Sequence, residues 1–62
     1  MFKVYESNGV SSKREIVQFD TFLAAFAYIQ NQFPISLELD HDNKGCADAY
    51  MKDGRILCIE PA

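Results

Sequence analysis

The chain has 62 residues, with nine acidic and six basic side chains and a net charge of −3. A chain this short buries only about 60% of the surface its unfolded form exposes, so we expect one domain over residues 1–62 and no cofactor. That size argues against a second domain, a large substrate cleft or a buried haem or flavin. Hydrophobic residues make up 48% and charged residues 24%, an ordinary globular composition that excludes disordered and collagen-like classes.

The charge is unevenly spread. Residues 1–34 hold three acids and three bases, whereas residues 35–62 hold six acids and three bases. Proteins that track phosphates owe their affinity to Lys and Arg displacing counterions, so the balance argues against a nucleic-acid partner. The one adjacent basic pair, Lys13-Arg14, reads as part of a solvated loop. The longest apolar run is eight residues, 22–29, far short of the roughly 20 a membrane span needs. No apolar stretch follows a basic start. The expected location is cytoplasmic and away from membranes, with Cys46 and Cys58 as free, buried thiols.

In chain order, Phe2, Val4 and Glu6 alternate with Lys3 and Tyr5, which predicts a strand. Ser7-Asn8-Gly9 breaks it, and a Ser-rich loop is expected over residues 10–13. Residues 15–19, Glu-Ile-Val-Gln-Phe, are β-branched and aromatic and predict a second strand. Asp20-Thr21 supplies helix N-cap chemistry, and the alanine-rich segment that follows predicts a helix to Gln32. Phe22, Phe26, Ile29 and Phe33 form one stripe along it, expected to be core. Pro34 ends the helix.

Two turn signals then divide the rest into three strands. Asp42-Asn43-Lys44-Gly45 fits a type I turn, and Lys52-Asp53-Gly54-Arg55 fits a two-residue hairpin. The second turn predicts the pairs Met51–Ile56, Tyr50–Leu57, Ala49–Cys58 and Asp48–Ile59. A three-residue loop at the first predicts Asp42–Cys46, Asp40–Asp48, Leu39–Ala49 and Glu38–Tyr50. Side chains alternate between faces, so Leu37, Leu39, His41, Ala47, Ala49, Met51, Ile56 and Cys58 would share the core face. Glu38, Asp40, Asp48, Tyr50, Leu57 and Ile59 would share the open one. The fold class is α+β: two layers, one helix on an antiparallel sheet, in the order strand-strand-helix-strand-strand-strand. The strand order within the sheet is not legible.

On the open face, Asp40 and Asp48 would sit directly opposite each other, where like charges destabilise. A register error, separation by strand twist, or neutralisation by a cation or basic partner would each resolve this. Aromatic and aliphatic groups beside acids make a protein interface in which rigid rings anchor and charges steer. The expected partner-binding residues are Glu38, Asp40, Asp48, Tyr50, Leu57 and Ile59, facing a protein with a basic surface. Self-association through the same face stays open, with Tyr50, Leu57 and Ile59 buried against a second copy. A nucleic-acid binder would instead need a basic face built from Lys3, Lys13, Arg14 and Arg55.

Catalytic and metal chemistry find little support. The segment 40–45 starts like an EF-hand loop, but Lys44 stands at the fifth position and Met51 at the twelfth, where acceptor ligands are needed. Two cysteines and one histidine do not make a four-ligand zinc set. No phosphate-binding or nucleophile-elbow motif is present. We therefore expect no enzyme activity.

The helix at residues 21–32 followed by the hairpin Ala49-Tyr50-Met51-Lys52-Asp53-Gly54-Arg55, in a short acidic chain, resembles the layout of small phage-encoded inhibitors of the anti-CRISPR type. That resemblance rests on size, charge and layout. It implies an inhibitor of a nucleic-acid-handling complex, whose acidic side chains, here Glu38, Asp40 and Asp48 with Tyr50, block a basic nucleic-acid groove.

Overall fold

A computed structural model describes residues 1–8 and 13–62. The expected break at Gly9 and most of the Ser-rich loop lie outside the described residues. The elements are β1 (Phe2–Ser7), β2 (Arg14–Phe19), α1 (Phe22–Gln30), β3 (Ser36–Leu39), β4 (Ala47–Tyr50) and β5 (Ile56–Pro61). This is the expected two-layer α+β arrangement, with one helix packed on a five-stranded antiparallel sheet. The sheet order is β2-β1-β5-β4-β3. The first and last strands pair centrally, with Val4 opposite Ile59, and the two hairpins flank them.

The helix begins where its cap chemistry says it should. Thr21 is extended and its Oγ1 accepts from the Ala24 amide at 3.1 Å, satisfying one of the amides left free in the first turn. The other end differs from expectation. The helix stops at Gln30, and the amides of Gln32 and Phe33 donate to Ile29 and Gln30 in a tightened last turn. Phe33 takes a left-handed φ of 58° before Pro34, which swings it off the helix axis. It is 86% exposed and does not complete the core stripe of Phe22, Phe26 and Ile29.

The core consists of Val4, Ala25, Ile29, Ala47, Ala49, Met51, Leu57 and Ile59, with Phe2, Phe22 and Phe26 packed against it. Phe2 meets Phe22 edge to face at 5.9 Å. Ala47 and Ala49 are fully buried beneath the helix; their small side chains let the two layers approach closely.

Two registers differ from the expected ones. At the second turn the Met51 amide donates to the Arg55 carbonyl at 2.8 Å and the Gly54 amide to the Met51 carbonyl at 3.1 Å. Gly54 has φ +95°. This is a three-residue loop with a bulge-type glycine, not a two-residue turn. The pairs become Tyr50–Ile56, Ala49–Leu57, Asp48–Cys58 and Ala47–Ile59. A one-residue slip turns every side chain of a strand to the other face, so Leu57 and Ile59 enter the core and Ile56 and Cys58 leave it. At the first turn the register moves by two, to Leu39–Ala47, Glu38–Asp48, Leu37–Ala49 and Ser36–Tyr50, and the faces are kept. The cause is Asp40, whose Oδ1 accepts from the amides of Asp42 (2.9 Å) and Asn43 (3.2 Å) while Oδ2 accepts from Asn43 Nδ2 (3.1 Å). Such a side-chain turn competes with the ladder and ends β3 at Leu39. His41 therefore lies exposed in the loop, not on the core face.

Candidate functional site: the acidic β3–β4 hairpin

The side of the sheet away from the helix carries Lys3 and Tyr5 of β1, Asp48 and Tyr50 of β4, Ile56, Cys58 and Glu60 of β5, and Glu38 of β3, as strand alternation and the registers require. Of the six expected site residues, Glu38, Asp48 and Tyr50 lie on it. Asp40 stands at the start of the loop, committed to holding the turn. Leu57 and Ile59, 2% and 0% exposed, belong to the core and cannot line an interface with a protein partner or with a second copy. Cys46 and Cys58 are both free and half-buried. Cys58 shares the open face with Asp48, and burial pushes its thiol pKa up.

Charge pairing sorts the described residues into two territories. On the β2–β1–β5 side, Lys3 pairs with Glu15 at 3.4 Å and Arg14 with Glu6 at 3.3 Å. Arg55 bridges Glu6 at 3.0 Å and Asp53 at 2.9 Å. Lys13 pairs with Glu60 and lies over the Tyr5 ring, 4.9 Å from its centroid. All four bases required for a basic face are thus held by acids. On the β3–β4 side, Glu38, Asp40, Asp42 and Asp48 make no ion pair with a base among the described residues. These four carboxylates line one open groove along β3, together with Phe26, Leu37, Leu39 and His41.

Crowding leaves its mark on this hairpin. Burial, and then the neighbouring Asp40, Glu38 and Glu60 carboxylates, push the Asp48 carboxyl above the usual range. Asp48 and Glu38 likewise push the Tyr50 hydroxyl up. Asp40 moves the other way, held down by its hydrogen bonds from Asn43 and Asp42. The residue directly opposite Asp48 is Glu38 and not Asp40, although the Asp40 carboxylate also acts on Asp48 from the start of the loop.

Asp48 binds its proton more tightly in the folded chain than in the unfolded one, so its charged form opposes folding. That penalty is fully present above the folded-state pKa and gone below the unfolded value near 3.9. Removing a directly opposed like charge is worth about 0.5 kcal/mol. Asp48→Asn should then raise Tm by roughly 2–4 °C at pH 7, with the gain vanishing as the pH falls towards 4. Thermal melts across that range check it; a gain unchanged at low pH would show that charge is not the cause.

The groove residues Phe26, Leu37, Leu39, His41 and Asp42 are not among the expected site residues. Asp42 could have been, since it stands two residues from Asp40. The contribution of Phe26 depends on how the helix lies across the sheet, which no local pattern reports. The pairing that isolates the hairpin's charge, Lys13 with Glu60, joins residues 47 apart in sequence. No protein-family model, curated protein or solved structure matches the chain.

Proposed function

We propose that the chain is a small non-enzymatic binding module that captures a protein partner through its acidic β3–β4 hairpin. The observation carrying this reading is the segregation of ion pairs: Lys3, Lys13, Arg14 and Arg55 are paired with acids across β2, β1 and β5, while Glu38, Asp40, Asp42 and Asp48 line one groove with no ion pair to a Lys or Arg among the described residues. Uncompensated like charges cost stability where they stand and gain value when a surface of opposite sign approaches and steers in. Tyr50 on the same face offers a rigid aromatic contact of the kind that anchors interfaces. A basic nucleic-acid groove on another protein is a surface of matching sign, and occupying it would make this chain an inhibitor of a nucleic-acid-handling complex.

The test uses Glu38→Lys with Asp48→Lys in one chain. Asp40 is left alone because its carboxylate holds the loop. The double variant keeps a like-charge pair at the same position, so folding should be nearly unchanged by circular dichroism. Tagged wild-type and variant chains are compared for capture from a lysate of the expressing cells at low and high salt. A single stoichiometric partner, at least about a hundredfold weaker with the variant and released by salt, supports the reading. Capture that survives charge reversal rules out this face.

A further inference from the structure

The two edges of the sheet are unlike each other. β2 is blunted: its pairing with β1 is broken by a bulge between Val4 and Tyr5, and Arg14 and Glu15 carry charges tied to β1. Bulges and charged side chains are the usual means by which edges are closed to further strands. β3 has no register shift over Ser36–Leu39 and no Lys or Pro; its one charge, Glu38, stands on the open face, and the Ile35 amide just before it donates to the Tyr50 carbonyl.

Its hydrogen-bonding parity can be read. The Asp40 amide donates to the Cys46 carbonyl at 3.1 Å, which makes Asp40–Cys46 a bonded pair. In an antiparallel ladder bonded and non-bonded pairs alternate, so Glu38 and Ser36 bond inward to β4. The N–H and C=O groups of Leu37 and Leu39 then point to the free edge. No described residue pairs with them, since β3 ends the sheet.

The surroundings of that edge are two-sided. On the helix side stand Phe26, Leu37 and Leu39. Ile35, just before the strand, and Leu39, at its end, are 71% and 54% exposed. On the other side stand Glu38 and Asp48. A strand added here would present alternate side chains to an apolar and an acidic surface.

We propose that the free edge of β3 takes up an extended partner segment in which basic and apolar residues alternate, added to the sheet as a sixth strand. The main chain of Leu37 and Leu39 supplies the hydrogen bonds, and alternate side chains supply the specificity. The apolar residues of the segment cover Leu37, Leu39 and Phe26, and its basic residues meet Glu38 and Asp48. This rests on the acidic hairpin being the binding face and names the shape of what it binds. A second copy fits less well: its β3 would bring another Glu38 and Asp48 to a face already crowded with carboxylates.

The test probe is a peptide of about ten residues alternating Lys and Val, beside one of the same composition with the lysines and valines in two blocks. Binding is read by fluorescence anisotropy, and the Leu37 and Leu39 amides by hydrogen exchange. The expected result is preference for the alternating peptide, with slowed exchange at both amides. Leu39→Pro should weaken that binding about tenfold by removing one outward donor. Leu39 is exposed and its N–H faces solvent, and a melt confirms that the variant folds. Equal binding of both peptides without amide protection overturns strand addition and leaves the acidic face standing. Binding of neither peptide overturns both. Protection of the two amides that rises with protein concentration alone overturns the proposal in favour of self-pairing.

Discussion

Replacing Ile59 by Ala should leave much of the protein unfolded at room temperature. Ile59 is fully buried and paired with Val4 on one side and Ala47 on the other, so the helix-side core closes around it. Truncating a buried Ile or Leu to Ala costs about 2–5 kcal/mol, and a core in a chain this small supplies a net stability of only roughly 3–5 kcal/mol. Leu57→Ala should behave alike, since Leu57 is buried opposite Ala49. The two intervening positions should differ. Ile56 and Cys58 point to the open face and are half-buried, and Ile56→Ala or Cys58→Ala should cost about 1 kcal/mol or less. Urea denaturation of the four single variants therefore reads the strand's alternation directly. Large losses at Ile56 and Cys58 with small ones at Leu57 and Ile59 would return the strand to the two-residue hairpin register and place the apolar pair on the open face.

The second large effect concerns two glycines that look equivalent in sequence, each closing a turn after Asp or Lys. Gly45 has φ +86° and Gly54 φ +95°, so any side chain strains the backbone at both, by about 1–2 kcal/mol. Their surroundings separate them. A Cβ on Gly45 would meet Phe2 Cε1 at 2.9 Å and Pro61 Cγ at 3.4 Å, while a Cβ on Gly54 meets nothing within 4 Å. The Phe2 ring is itself held edge-on against Phe22 and cannot retreat without disturbing the helix contact. Overpacking of this kind adds typically 1–3 kcal/mol. Gly45→Ala should thus cost about 2–5 kcal/mol and Gly54→Ala about 1–2 kcal/mol, measured as the difference between their urea midpoints at constant slope. Equal losses would mean that the Phe2 ring moves aside freely and that the loop is not clamped to β1.

Both results bear on the proposed binding face, because both test how the hairpins are anchored. The loop that ends β3 is held from within by Asp40 and from beneath by the fit of Gly45 on Phe2. That places Glu38 and Asp48 opposite each other on a fixed frame. A preorganised acidic pair presents its charge without further ordering cost when a partner arrives.

The fold class was legible from local signals because each is short-range. Alternation in β1, the β-branched run in β2, the Thr21 cap and the glycine turns all act within a few residues, and the structure places an element where each predicts one. The helix ends at Gln30 and not at the expected Gln32, because the 3.6-residue stripe continues to Phe33 whereas the left-handed turn there depends on the following Pro34 and on how the chain must reach β3. Two of the six expected site residues were misplaced for a sharper reason. β5 reads Ile-Leu-Cys-Ile, apolar at both parities, so its alternation is silent about which face is core. The turn before it could hold either two or three residues, since Asp53-Gly54 suits both. Only the packing of Leu57 and Ile59 against Val4 and the helix decides, and that packing exists only once β1 has paired with β5. The acidic excess of the second half was written in the sequence from the start. That four of these carboxylates line one groove with no ion pair to a Lys or Arg among the described residues was decided by the tertiary structure, which ties Lys3, Lys13, Arg14 and Arg55 to acids elsewhere, two of these contacts joining residues 47 and 49 apart.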